Sequence, residues 1–297
     1  MWSQFLSEQE CFNTCTHLWL SRAVESNIVA GRVAKPHSRP YMASLQFNGA
    51  HICGGILIRE DFVLTAFYNM TSYIIEMFHC ILITFQHFTS LFVSPQEMMV
   101  VLGGHNISAT EKTQQRIEVA RYHQHPKFTG QYEYDIMLLQ LKKMAKLNKY
   151  VKTIGIPNKN GKTPANINCA VAGWGRTREN MPPSDVLRET TEKIQFNFEC
   201  KNIWGIYFNS EHMMCTKFDR KKGGCFCRLN KSLSYPSLQG DSGGPLICNK
   251  KVEGITAYTK EDDCSNPRYP HVFTKVNYFS SWIKKVMKPS VNPPLLG

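Results

Sequence analysis

The segment "QGDSGGPLIC", residues 239–248, holds the residues best suited to covalent chemistry. A serine set among glycines can sit on a tight turn with its hydroxyl presented outward. The glycines also let the backbone N–H groups of Gly240 and Ser242 approach a substrate carbonyl and form an oxyanion hole. The chemistry this suggests is attack by the Ser242 hydroxyl on an acyl carbon, which needs a base to take the proton. Asp241, one residue earlier, is placed to receive a cation. A second carboxylate, Asp135 in "YEYDIMLLQL", stands directly before the apolar run Ile136–Leu139 and is expected to be buried rather than to cap a solvated turn. His123-x-His125 is the one histidine pair with metal-ligand spacing, but no third ligand accompanies it, so no metal and no cofactor is expected.

The elements that must position these groups read as strands. "YMASLQF", "ICGGILI", "MMVVLGG", "IMLLQL", "CAVAGWG", "PLICN", "VEGITAY" and "HVFTKV" are short apolar runs bounded by Gly, Pro, Asn and Asp. Runs of this length and punctuation indicate a sandwich or barrel. "NYFSSWIKKVM" has helical spacing, with Tyr278, Trp282, Ile283 and Val286 predicted on one apolar face. The fold class expected is all-β with a C-terminal α-helix. Two segments break the pattern. Residues 67–93 carry one charged residue, Glu76, in 27, whereas surface loops are ordinarily polar. Residues 226–238 are polar and loop-like.

With 297 residues, 42% hydrophobic and 20% charged, the chain can bury a sizeable core. The formal net charge of +12 favours polyanionic partners such as sulfated glycans. No nucleic-acid-binding motif accompanies the charge, so nucleic acid is not expected as the main partner. Eleven scattered cysteines and the sequons at Asn69, Asn106 and Asn230 fit an oxidising, secretory environment. The first 26 residues lack a basic start and an apolar run of signal-peptide length, which does not agree with that environment. No apolar segment is long enough to predict a membrane-spanning helix.

Taken together, "QGDSGGPLIC", "IVAGRVAKPHSRPYMASLQF", "HICGGILIREDFVLTA", "YEYDIMLLQL", "CAVAGWG" and "HVFTKVNYFSSWIKKVM" resemble the trypsin-like serine proteases, and more closely their granzyme and chymase branch. The resemblance implies two six-stranded antiparallel β-barrels and a C-terminal helix. It implies an atypical leader or pro-segment over 1–27, a protease domain over 28–288 with insertions at about 67–93 and 226–238, and a tail over 289–297. It further implies a serine endopeptidase, monomeric, acting on protein or peptide substrates, secreted or stored in granules. Ser242 would be the nucleophile and Asp135 the carboxylate that orients the catalytic histidine.

The histidine departs from the family. The family pattern is Thr-Ala-Ala-His-Cys; here Thr65-Ala66 leads into Phe67, Tyr68 and Asn69. Read without a gap, Tyr68 takes the histidine's position, and a phenol with a pKa near 10 is a poor base at neutral pH. Read with eleven extra residues, His79-Cys80 restores the dipeptide. A bridge from Cys80 to Cys53, as the resemblance implies, would then tether His79 near its place. His87, His105, His123 and His125 are weaker candidates. Both readings stay open, as does a proteolytically inactive homologue that binds polyanions such as heparin-like proteoglycan. A mis-joined or aberrantly spliced product is a third possibility, because the odd segments abut family sequence abruptly.

The resemblance also pairs the α-ammonium of Ile28, freed by cleavage after Asn27, with Asp241. It places Pro236, Ala257, Tyr258, Thr259 and His271 around the specificity pocket. Thr259 and His271 stand where many relatives have glycine and should narrow it. The bridges implied are Cys169–Cys248, Cys200–Cys215 and Cys53–Cys80, with Cys264 paired to Cys225 or Cys227.

Overall fold

The computed structural model describes residues 31–67, 98–129, 132–175, 182–217, 241–260 and 268–288. Six strands close the first barrel: β2 (Met42–Phe47), β3 (Ala50–Arg59), β4 (Phe62–Thr65), β5 (Met99–Leu102), β6 (Gln115–Gln124) and β7 (Met137–Leu141), in the order β2-β3-β4-β7-β6-β5. The second is formed by β8 (Asn168–Gly173), β9 (Arg188–Ile194), β10 (Met213–Lys217), β11 (Pro245–Cys248), β12 (Lys251–Tyr258) and β13 (His271–Lys275), in the order β9-β10-β13-β12-β11-β8. Pairing of β8 with β9 closes it, and the short β1 (Arg32–Val33) adds to the outer side of β9. Every ladder is antiparallel, as the resemblance implied.

Successive strand residues point to opposite faces, and in most of these strands both faces are buried. Ala43, Leu57, Val63 and Leu139 fill the first barrel, while their neighbours Met42, Ile56, Leu64 and Leu138 pack in the seam with Trp174, Ile255 and Phe279. This is why the runs read as almost continuously apolar. The seam is the layer that brings the two barrels, and the chemistry-bearing residues at their edges, together.

Two α-helices, α1 (Asn197–Trp204) and α2 (Val276–Val286), and a single 3-10 turn at Gly205–Tyr207 complete the described chain. The terminal helix forms where its spacing predicts, but its buried face is Val276, Phe279, Ser280 and Ile283. Tyr278, expected on that face, is 37% exposed. The phase is set by Val276, which follows β13 without a linker and is fully buried; Phe279 and Ile283 continue its stripe at helical spacing. Trp282 and Val286 pack along the margin.

Strand β9, "RETTEKI", and helix α1 carry no apolar-run signal. In β9 Thr190 and Glu192 on one face and Glu189 on the other are polar yet buried, so side-chain pairing replaces the usual apolar filling. Helix α1 is eight residues long with no side-chain N-cap bond. It is held to β10 by the Cys200–Cys215 disulfide, whose loop of 15 residues is worth about 3 kcal/mol in the chain-entropy account.

Candidate active site

The Ser242 loop is docked on the middle of β3 and the end of β4. Gly54 N–H donates to Ser242 O at 2.9 Å, and Thr65 Oγ1 donates to Gly54 O at 2.8 Å. Gly243 has φ +82°, and a Cβ there would lie 2.1 Å from Thr65 Oγ1 and 2.5 Å from Gly54 O. Only glycine allows this approach, which explains the "SGG" of the sequence in packing terms. Gly243 N–H donates to Thr256 O at 3.0 Å and Gly244 N–H to Asp241 O at 3.0 Å, tying the loop to its own barrel as well. Ser242 is therefore fixed at the seam, 5% exposed. Gly240, the other expected oxyanion donor, lies outside the described residues.

Asp135 is brought to the same place from the first barrel. It is 2% exposed, at the start of the apolar run, as its sequence position suggests. Its Oδ1 accepts the backbone N–H of Phe67 at 2.6 Å, and its carbonyl accepts the Thr274 hydroxyl at 3.1 Å. Tyr134 before it has φ +56° and stacks between His125, 5.1 Å away, and His212, 4.9 Å away. The carboxylate thus addresses the backbone immediately after Thr65-Ala66, where the family's histidine would follow. Tyr68 occupies that sequence position and lies, with His79 and Cys80, outside the described residues.

The seven described histidines have other surroundings. His51 Nδ1 is 2.8 Å from Ser44 Oγ, and His123 Nε2 is 3.2 Å from Gln140 Oε1. His125 Nδ1 accepts Lys127 N–H at 3.3 Å, and His212 Nε2 is 3.5 Å from Glu133 Oε1. His37 and His105 pack edge-on to each other, and His271 Nδ1 is 2.8 Å from Glu192 Oε1. His123 and His125 are thus placed in separate packing roles, and no metal-holding cluster occurs among the described residues.

Asp241 is 4% exposed and sits in a cradle of two glycines. A Cβ on Gly173 or on Gly175 would each fall 2.0 Å from a carboxylate oxygen. Gly175 N–H donates to Oδ1 at 2.7 Å. Burial nevertheless dominates and pushes the carboxyl up from 3.8 to about 7, the Gly175 bond opposing it. Ile28 lies outside the described residues.

Among the expected pocket residues, Pro236 also lies outside the described residues. Ala257, Tyr258, Thr259 and His271 are all buried. Tyr258 OH donates to Tyr207 O at 2.5 Å, and its ring lies 4.5 Å from that of Tyr132. Burial, aided by Tyr132 and Glu133, pushes the Tyr258 phenol up. Thr259 Oγ1 is buried without a hydrogen-bond partner. His271 is held from behind by Glu192, whose second oxygen accepts the Thr216 hydroxyl. Glu192 is the residue sequence reading missed. Its signal was a charge at an inward position of "RETTEKI", which only makes sense beside a buried donor.

Cys169 joins β8 to the end of β11 through Cys248, and Cys200 joins α1 to β10 through Cys215. Cys53 differs from expectation: it is a free thiol, fully buried. Inside the first barrel it packs with Ala43, Leu45 and Leu57, and burial and the nearby Asp135 charge both push its thiol up, so it is a poor thiolate. Cys80, Cys225, Cys227 and Cys264 lie outside the described residues.

Comparison with known proteins agrees with this geometry. A family profile described as trypsin matches residues 28–283. Granzyme B of Rattus norvegicus is 38% identical over 268 residues, covering 89% of this chain and 92% of that protein. Mast cell protease 3 of Ovis aries is 36% identical, covering 92% and 94%. The solved structure of neuropsin, a serine protease expressed in the limbic system of mouse brain, superposes with a TM-score of 0.66 at 29% identity, covering 87% of this chain and 99% of that one. With a match across most of its length and both barrels closed, this chain belongs to the trypsin family of serine proteases, in its granzyme and chymase branch.

Proposed function

We propose that the protein is a serine endopeptidase of granzyme type. Ser242 Oγ attacks the scissile carbonyl, the N–H groups of Gly240 and Ser242 receive the oxyanion, and an acyl-enzyme forms on Ser242. His79 takes the serine proton and returns it to the leaving amine, with Asp135 orienting the imidazole and stabilising its charge. Cleavage before Ile28 frees an ammonium that pairs with Asp241 and orders the oxyanion loop, so the full chain is a zymogen. The family's homologues further suggest a secreted or granule protein, with the +12 charge suited to a sulfated proteoglycan.

The observation that carries this reading is the Phe67 N–H···Oδ1 bond of Asp135 at 2.6 Å. It sets the carboxylate against the chain that leads on from Thr65-Ala66, while Gly54 in mid β3 and Thr65 at the end of β4 hold the Ser242 loop beside it. His79 is favoured as base because the described histidines are engaged elsewhere and His79-Cys80 alone repeats the family dipeptide.

The test is cleavage of a mixed peptide pool by the chain processed to begin at Ile28, read by mass spectrometry. Reproducible cleavage sites that vanish in Ser242→Ala support the reading. A processed, folded chain that cuts nothing overturns it.

A further inference from the structure

Strands β8 and β11 lead from the Ser242 loop to a cavity at their far ends. Gly173, at one end of β8, cradles Asp241, while Asn168 and Cys169, at the other end, line a cavity of about 520 Å³. Ile247, near the end of β11, and Lys250, in the turn after it, line the same cavity. At about 3.3 Å per residue, β8 sets roughly 16 Å between its two ends, so the cavity is separate from the catalytic seam.

The polar lining carries an excess of cations. Arg39 Nε donates to Glu189 Oε2 at 3.0 Å, and Nη1 donates to Tyr41 OH at 3.3 Å. These bonds fix the guanidinium and leave its Nη2 without a partner among the described residues. Glu189 is shared, because its Oε1 accepts from Arg32 Nε at 3.0 Å. One carboxylate thus balances two guanidinium groups, and no acidic residue lines the cavity among the described residues. Lys250 adds a third cation, with no ion pair among the described residues. Its φ of +63° follows +49° at Asn249, so both residues of the β11–β12 turn are left-handed. Two-residue turns of this kind favour glycine in second place, and a lysine there keeps a charge at a backbone cost. The Cys169–Cys248 disulfide fastens this turn to the β8 wall. Ile154 and Ile247 make the lining apolar elsewhere.

We propose that this cavity binds a small organic carboxylate with a compact apolar body. A guanidinium fork matches a carboxylate in geometry, and Arg39 is already held in place with Nη2 to offer. The Lys250 ammonium supplies a second charge at the same recess. Ile154 and Ile247 receive the apolar body, and the volume falls within the roughly 300–1,000 Å³ of small-molecule sites. An inorganic anion would leave the two isoleucines unused. A sulfated polymer would need a stripe of exposed cations rather than two beside an apolar lining. The site stands independently of whether Ser242 is reactive.

The experiment titrates the full chain with phenylacetate and isocaproate, read by calorimetry and ligand-observed NMR. The matching amides and inorganic sulfate are the controls. The expected result is saturable binding of at least one acid, with its amide and sulfate weaker by at least about 10-fold, the scale of one lost charge-assisted hydrogen bond. Arg39→Gln and Lys250→Gly should each weaken the acid by a similar factor. Glycine suits the positive φ at position 250, so Lys250→Gly removes the charge while keeping the turn, and it decides the matter if Arg39→Gln does not fold. No saturable binding of either acid overturns the proposal. So does an amide or sulfate that binds as tightly as the acid, or an acid that binds Lys250→Gly as tightly as wild type.

Discussion

Phe67 donates its backbone N–H to Asp135 Oδ1 across 68 residues of sequence, at 2.6 Å. The bond joins the end of β4 to the loop before β7, strands that are also paired directly. Aspartate orientation is thus built into the first barrel and does not depend on which histidine follows. Asp135→Asn keeps the shape but removes the charge and reverses part of the hydrogen-bonding pattern, so the imidazole loses its correct tautomer. The expected outcome is a fall in kcat of about 10⁴-fold with little change in melting temperature, the scale for removing a triad carboxylate's charge while keeping its shape. Peptide hydrolysis beside a thermal melt checks both halves.

Asp241 gives the uncleaved chain a definite pH signature. Its folded carboxyl is raised from 3.8 to about 7 by burial, so the folded state holds a proton that the unfolded state releases. Stability from this group is present below about pH 4 and declines as pH rises towards 7. An ammonium at Ile28 would favour the ionised form and lower that carboxyl. Urea midpoints measured from pH 4 to 8 should show the decline in the full chain and its loss or reversal after cleavage before Ile28.

Glu192 and His271 form a buried pair that the Thr216 hydroxyl completes. Removing one member strands the other. Glu192→Leu is expected to cost about 3–5 kcal/mol, the range for breaking a buried pair. Glu192→Leu with His271→Leu should recover most of it, because replacing both leaves neither partner buried without the other. Denaturant unfolding of the two single variants and the double variant supplies the coupling energy.

His212 and His125 flank Tyr134, and both imidazoles are shifted down from 6.5, with burial the largest cause. Lys127 adds to the shift at His125 and Lys275 at His212, while Glu133 and Glu211 oppose it at His212. Both rings are harder to protonate folded than unfolded, so their stability is fully present above about pH 6.5 and is lost as pH falls below it. His212→Phe keeps a ring against Tyr134 and removes one titrating group. Its melting temperature should fall less than wild type's between pH 6.5 and 5, read by calorimetry.

The barrels were legible because both faces of most strands are apolar, and the Gly-rich serine loop because its packing tolerates no side chain at Gly243. Asp135 was legible from its place ahead of Ile136–Leu139. Strand β9 was not, since its inward residues are polar and their partners, Thr216 and His271, lie far along the chain. The phase of α2 was misjudged because Tyr278 is aromatic but faces outward beside Phe279. The Cys53 bridge came from resemblance alone, whereas the structure shows a thiol packed as a small apolar group.

The most direct measurement is the rate at which a fluorophosphonate labels Ser242 in the chain processed to begin at Ile28, compared between wild type, His79→Ala and Tyr68→Phe. The expected result is labelling of wild type and Tyr68→Phe at similar rates and a loss of at least about 100-fold in His79→Ala, in line with the contribution of a general base. Absence of labelling in the folded wild type, or labelling indifferent to His79, would contradict a serine protease with a displaced histidine.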